Sequence, residues 1–154
     1  MALAEPRNAR APRLVSVLGS TGSVGCNTLD LIERNPEAFQ VVALTANRNV
    51  DALVAQALKF RPKVVAIADP ECYRPLKNAL SNTGIEVAAG TQSLVDAAAR
   101  PADWVMAAIV GAAGLAPTIA AAQQGAILAV ANKECFVTAG DLFLTEVTRH
   151  GATV

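Results

Sequence analysis

Leu14-Val15-Ser16-Val17-Leu18-Gly19-Ser20-Thr21-Gly22-Ser23-Val24-Gly25 decides the fold. An apolar run stops at a glycine, and two more glycines follow at three-residue intervals. The pattern then resumes as Asn27-Thr28-Leu29-Asp30-Leu31-Ile32, in which Val24, Thr28, Leu31 and Ile32 fall on one helical face. This is strand, tight turn, helix. Gly19 suits the sharp exit from the strand. Gly22, lacking Cβ, lets a diphosphate approach the main chain, and Gly25 lets the helix pack closely on the strand. The first N–H groups of the helix and the positive end of its dipole then face an anion, and Thr21 and Ser23 add hydroxyl donors. The spacing is G-x-x-G-x-x-G rather than the commoner G-x-G-x-x-G, and no Lys-Ser or Lys-Thr follows, which excludes a nucleoside-triphosphate P-loop. A glycine-rich loop that merely turns the chain is the plainer alternative.

The same alternation continues along the chain. Apolar strands are expected at 39–45, 63–68, 85–88, 104–109 and 126–130. Helices follow each: one capped by Asn49, one opening at Asp69-Pro70, one capped by Thr91, one with Pro117 in its first turn, and one running from Asn132 to about His150. Ala152-Thr153-Val154 reads as the start of a further strand. Strands alternating with helices imply right-handed crossovers and a buried parallel sheet. The expected class is α/β: a doubly wound, Rossmann-type sheet in three α/β/α layers, which binds ligands at the carboxyl ends of its strands.

Length and composition agree. The chain has 154 residues, 53% hydrophobic and 17% charged, enough for one cored domain. A net charge of zero gives no electrostatic case for nucleic acid or an anionic membrane. Cys26, Cys72 and Cys135 are scattered without metal spacing, and their odd number argues against a disulfide framework, so a reducing, cytoplasmic setting fits. The leader Met1–Pro12 lacks the apolar run of a secretory signal and reads as a frayed tail, with the domain at 13–154.

Cofactor choice turns on the end of the second strand. An NAD site usually carries a carboxylate there for the ribose 2′-hydroxyl. Here the residues are Thr45-Ala46-Asn47-Arg48-Asn49, with no carboxylate and with a guanidinium suited to phosphate. The expectation is NADPH over NADH. Further on, Gly111–Gly114 offers a surface free of side chains, suited to a bound ring or to plain packing. Asn132-Lys133-Glu134 brings polar residues to the same edge; Asn132 as an N-cap with Glu134 in the first turn is the plainer reading, but Lys133 fits a helix start badly and suits a substrate phosphate or carboxylate. Cys135 has no partner base and His150 no catalytic setting, so neither is assigned a role.

Three stretches in order, Leu18–Gly25, Met106–Pro117 (MAAIVGAAGLAP) and Ala131–Glu134, resemble 1-deoxy-D-xylulose 5-phosphate reductoisomerases over about residues 13–154. The resemblance implies the N-terminal NADPH-binding domain, with the cofactor held by Gly19, Thr21, Gly22, Ser23, Val24, Asn47, Arg48, Asn49, Asn132 and Glu134. It implies Lys133 as a ligand of the sugar-phosphate substrate; many relatives carry Gly and Lys where this chain has Asn47 and Arg48. The family enzyme isomerises and reduces deoxyxylulose phosphate to methylerythritol phosphate in non-mevalonate isoprenoid synthesis, with a divalent metal, Mg or Mn, as a cytoplasmic homodimer. Its acidic metal motif is expected just past Val154, so no catalytic or metal residue is expected within this chain, which reads as a truncated cofactor domain without turnover of its own and open to self-association. The rival readings are the NADP domain of a semialdehyde-type dehydrogenase and a non-catalytic nucleotide-binding module.

Overall fold

The computed structural model describes residues 11–154, so of the expected leader only Ala11 and Pro12, both exposed coil, are described. Strands β1 (Arg13–Leu18), β2 (Phe39–Ala46), β3 (Val64–Ile67), β4 (Glu86–Ala89), β5 (Trp104–Ala107) and β6 (Ile127–Val130) form one sheet in the order β4-β3-β2-β1-β5-β6. Every pairing is parallel. Between the strands run α1 (Ser23–Glu33), α2 (Val50–Phe60), α3 (Tyr73–Ala79), α4 (Thr91–Ala98) and α5 (Leu115–Gln123); α6 (Glu134–Val137) and α7 (Gly140–His150) follow β6. This is the expected doubly wound α/β/α sandwich. Strand order reverses at β1, so the loops leaving β1 and β5 part to opposite faces and open a crevice between them.

The sheet separates two cores. One gathers Val15, Val17, Leu44, Leu53, Val65 and Leu76. The other gathers Leu18, Val105, Ala121, Leu128 and Phe143. Central strands read as continuous apolar runs because both faces are covered. Thr153 makes a single parallel bridge to Ile127, the beginning of the further strand expected at the chain's end.

The structure corrects three local expectations. The inward face of α1 is Gly25, Thr28, Leu29 and Ile32, whereas Val24 is 41% and Leu31 61% exposed. Close contact at Gly25 sets the roll of this helix, and positions i, i+3, i+4 and i+7 counted from that glycine point inward. Thr91 does not cap α4: Gly90 precedes the helix at φ 97, and the Ser93 hydroxyl donates to its carbonyl at 2.6 Å. The single helix expected from Asn132 to His150 is two, broken at Ala139 (φ −138, ψ 30). The break turns Phe143, fully buried, into the core edge-on to Phe136, ring centroids 5.4 Å apart.

Candidate functional site

The glycine loop is built as its spacing requires. Gly19 holds φ +79, and a Cβ there would stand 2.7 Å from the Ala108 carbonyl oxygen, so β1 exits hard against the end of β5. A Cβ on Gly25 would stand 2.2 Å from the Gly19 carbonyl oxygen. Gly22 differs: its nearest neighbour would be 3.5 Å away, an ordinary contact, and its bare face looks into the crevice that it lines. No side chain caps α1 and no acidic residue stands in its first turn. Its leading N–H groups are therefore free for a ligand.

A polar network that the sequence did not announce holds this loop. The Gly19 N–H donates to Thr45 Oγ1 at 2.9 Å. The Ser20 hydroxyl donates to Gln56 Oε1 at 2.7 Å, and Gln56 Nε2 donates back to the Ser20 carbonyl at 2.8 Å. Thr45 and Ser20 are fully buried. Their signal was a lone threonine within the apolar run of β2 and a glutamine set among the apolar positions of α2, both far from the loop in sequence.

Between the ends of β1 and β5 lies a cleft of about 260 Å³. Its floor is Gly19, Thr21 and Gly22; one wall is Ala46, Asn47 and Ala68, and the other is Ala108, Ile109 and Ala113. Apart from Asn47 the walls are apolar, and Thr21 brings a hydroxyl to the floor. Ser23 and Val24 are exposed and are not among the residues that line the cleft. At the far corner, Arg48 is 70% exposed outside the cleft lining, and its Nε lies 2.9 Å from Asp69 Oδ2. The carboxylate missing from the end of β2 thus arrives from the end of β3. Both of its oxygens are engaged, since Oδ1 accepts the Glu71 N–H at 2.9 Å. Asn49 caps α2, its side chain accepting from the Ala52 N–H at 3.1 Å.

At the end of β6 the three polar residues divide. Asn132 is 3% exposed. Its Nδ2 donates to the carbonyls of Ile109 and Gly111 at 2.8 and 3.0 Å, and its Oδ1 accepts the Glu134 N–H at 2.9 Å. The amide is committed to backbone, tying the loop after β5 to the start of α6. Gly114 makes room for it: a Cβ there would meet Asn132 Nδ2 at 2.3 Å. Gly114 is therefore a packing glycine, while Ala113 lines the cleft. Lys133 is exposed and Glu134 half-buried at the same edge. Asn132→Ala is expected to cost about 2 kcal/mol by stranding buried backbone groups, read as a lower denaturation midpoint with an unchanged m-value.

Cys135 is fully buried and His150 ends α7 with Nδ1 3.0 Å from the Glu146 carbonyl oxygen. Among the described residues no three His, Cys, Asp or Glu side chains gather as a metal site, and no metal ligand is assigned. No helix among them is long and apolar enough to cross a membrane.

This geometry has close counterparts. Residues 15–140 match the family model described as 1-deoxy-D-xylulose 5-phosphate reductoisomerase. A reductoisomerase of that name from Rhodospirillum centenum is 63% identical over 142 residues, covering 92% of this chain and 35% of its own. One from Rhodopseudomonas palustris is 54% identical with the same coverage. The Zymomonas mobilis enzyme, solved in complex with NADPH, superposes with a TM-score of 0.90 at 54% identity, over 92% of this chain and 38% of that one. A relative solved with NADPH, fosmidomycin and magnesium superposes at 0.86 with 39% identity, over 92% and 35% of the two chains. The chain thus spans about a third of the length of the relatives it matches, and the match decides against the semialdehyde-dehydrogenase reading. On the glycine loop, the crevice beside it and this agreement across nearly the whole chain, the protein belongs to the 1-deoxy-D-xylulose 5-phosphate reductoisomerase family.

Proposed function

We propose that this chain is the NADPH-binding domain of an enzyme that isomerises and reduces 1-deoxy-D-xylulose 5-phosphate to 2-C-methyl-D-erythritol 4-phosphate. The observation that carries the reading is the uncapped start of α1 behind Gly22, whose missing Cβ faces the cleft. Those first-turn N–H groups are donors aimed where a diphosphate would lie. Thr21, Ser23 and Val24 would border it, and Arg48 with Asn47 and Asn49 would take the extra phosphate. Asn132 contributes by holding the loop after β5 in shape, and Glu134 stands beside it at the nicotinamide end. Lys133, an exposed cation at the same edge, would meet the phosphate of the sugar substrate.

When bound, NADPH supplies the hydride for the reduction. The residues of this domain bind and orient, and the largely apolar walls of the cleft exclude water from a flat ring. The divalent metal, found as magnesium in solved relatives, would be held by residues outside this chain. A cytoplasmic homodimer completes the proposal, with no nucleic acid or membrane partner.

The test is a titration of the chain with NADPH and NADH, followed by reduced-nicotinamide fluorescence. NADPH is expected to bind at least about tenfold more tightly, the value of one added charge-assisted contact. Equal affinities would overturn the assignment of Arg48, and no binding of either would overturn the domain's role.

A further inference from the structure

We propose that Asp69, on the turn leaving β3, is the residue that positions Arg48 for the 2′-phosphate; the inference rests on the reading of this chain as an NADPH domain. Asp69 lies 21 residues beyond Arg48, yet its turn grips the turn after β2 at several points. The Asp69 N–H donates to the Asn47 carbonyl at 3.1 Å. The Cys72 thiol reaches the Arg48 carbonyl at 3.7 Å. Above these, Asp69 Oδ2 and Arg48 Nε form an ion pair at 2.9 Å.

An arginine guanidinium has one side edge and one terminal fork. With Nε drawn toward Asp69, the fork formed by the two terminal nitrogens stays free and is 70% exposed with the rest of the side chain. That fork matches two phosphate oxygens. Without the anchor, a long exposed side chain must lose its rotamer freedom each time it binds, which weakens binding. The pair itself adds little to folding, because the arginine is solvated. Its purpose is orientation.

The same contact bears on selectivity. A free carboxylate at this corner would accept the ribose 2′-hydroxyl of NADH and repel the phosphate of NADPH. Asp69 does neither while Oδ2 faces Arg48 and Oδ1 caps the Glu71 N–H. Its residual repulsion of a phosphate beyond the guanidinium is offset by the nearer positive charge of the guanidinium itself.

Asp69→Asn is the discriminating variant. An amide has one oxygen, so it serves the turn or the guanidinium but not both, and asparagine remains a good cap. The 154-residue chain and this variant are titrated with NADPH and with NADH, and the Arg48 Nε–H is followed by 15N NMR. NADPH Kd is expected to rise about tenfold, NADH Kd to stay within about twofold, and the Arg48 Nε resonance to shift toward that of a free arginine. Restoring the carboxylate one methylene further out, as Asp69→Glu, is expected to recover part of the NADPH affinity. An Asp69→Asn variant that binds NADPH as well as or better than the parent would overturn the proposal and make the carboxylate a competitor. Equal loss for both cofactors would reduce it to a structural role. A parent chain that binds neither cofactor sinks the functional reading and this inference with it, and one that binds both alike overturns the assignment of Arg48 on which this inference stands.

Discussion

Gly25→Ala is expected to destabilise the fold by about 3 kcal/mol or more, beyond the usual range for overpacking because the obstacle is backbone. A methyl there would lie 2.2 Å from the Gly19 carbonyl oxygen and 2.6 Å from the Ser20 Cα. Neither atom can swing aside as a side-chain end would. Relief requires α1 to lift from β1, which uncovers Leu29 and Ile32 and pulls on the buried Ser20–Thr45–Gln56 network. Against a total stability of about 5–15 kcal/mol, that is a large fraction. Gly22→Ala is the control. It lies one turn away in the same motif but meets nothing closer than 3.5 Å, so its denaturation midpoint should barely move while its NADPH affinity falls. Chemical denaturation of both variants, with cofactor titration of the second, separates a glycine needed for packing from one needed for a ligand. A stable Gly25→Ala would mean that the loop is soft and the close approach incidental.

What could be read in advance was what is local. Three glycines at fixed spacing behind an apolar run specify a turn and a helix start, and the alternation of runs specifies a parallel sheet. Both are periodic signals within a few residues. The roll of α1 was not legible because its apolar residues, Val24 and Leu31, outvote a glycine in any count of hydrophobicity. A glycine that must touch the turn leaving β1 fixes the inward face more firmly than a leucine that would gain from burial. The break between α6 and α7 was hidden for a similar reason, since Thr138-Ala139-Gly140 carries no proline and Phe143 makes its demand only once the core exists. Asn132 was legible as an important polar residue, but the two carbonyls it satisfies belong to a loop 21 and 23 residues earlier. The Arg48–Asp69 pair needed the most structure. A search for an acid at the end of β2 finds none, because parallel pairing of β2 with β3 is what brings the acid to that corner.

That pair gives the second large expectation. Arg48→Ala should raise the NADPH Kd about 10²-fold, the equivalent of about 2.7 kcal/mol, as expected for the loss of one or two charge-assisted contacts. Its effect on NADH should have the opposite tendency. Removing the guanidinium releases Asp69 Oδ2 while Oδ1 stays on the Glu71 N–H. A freed carboxylate oxygen at the strand ends is an acceptor for a ribose 2′-hydroxyl, so NADH should bind no worse and up to a few-fold better. Folding should be nearly untouched, because Arg48 is 70% exposed and a solvated ion pair contributes about 0–1 kcal/mol. Salt gives an independent reading: NADPH affinity of the parent should fall between 50 and 500 mM salt, as roughly expected for an exposed ionic contact, and the variant's should fall less. Parallel titrations with the two cofactors decide it. If the variant loses affinity for both alike, the arginine supports the turn rather than the phosphate, and the extra phosphate of NADPH must be sought elsewhere along the rim.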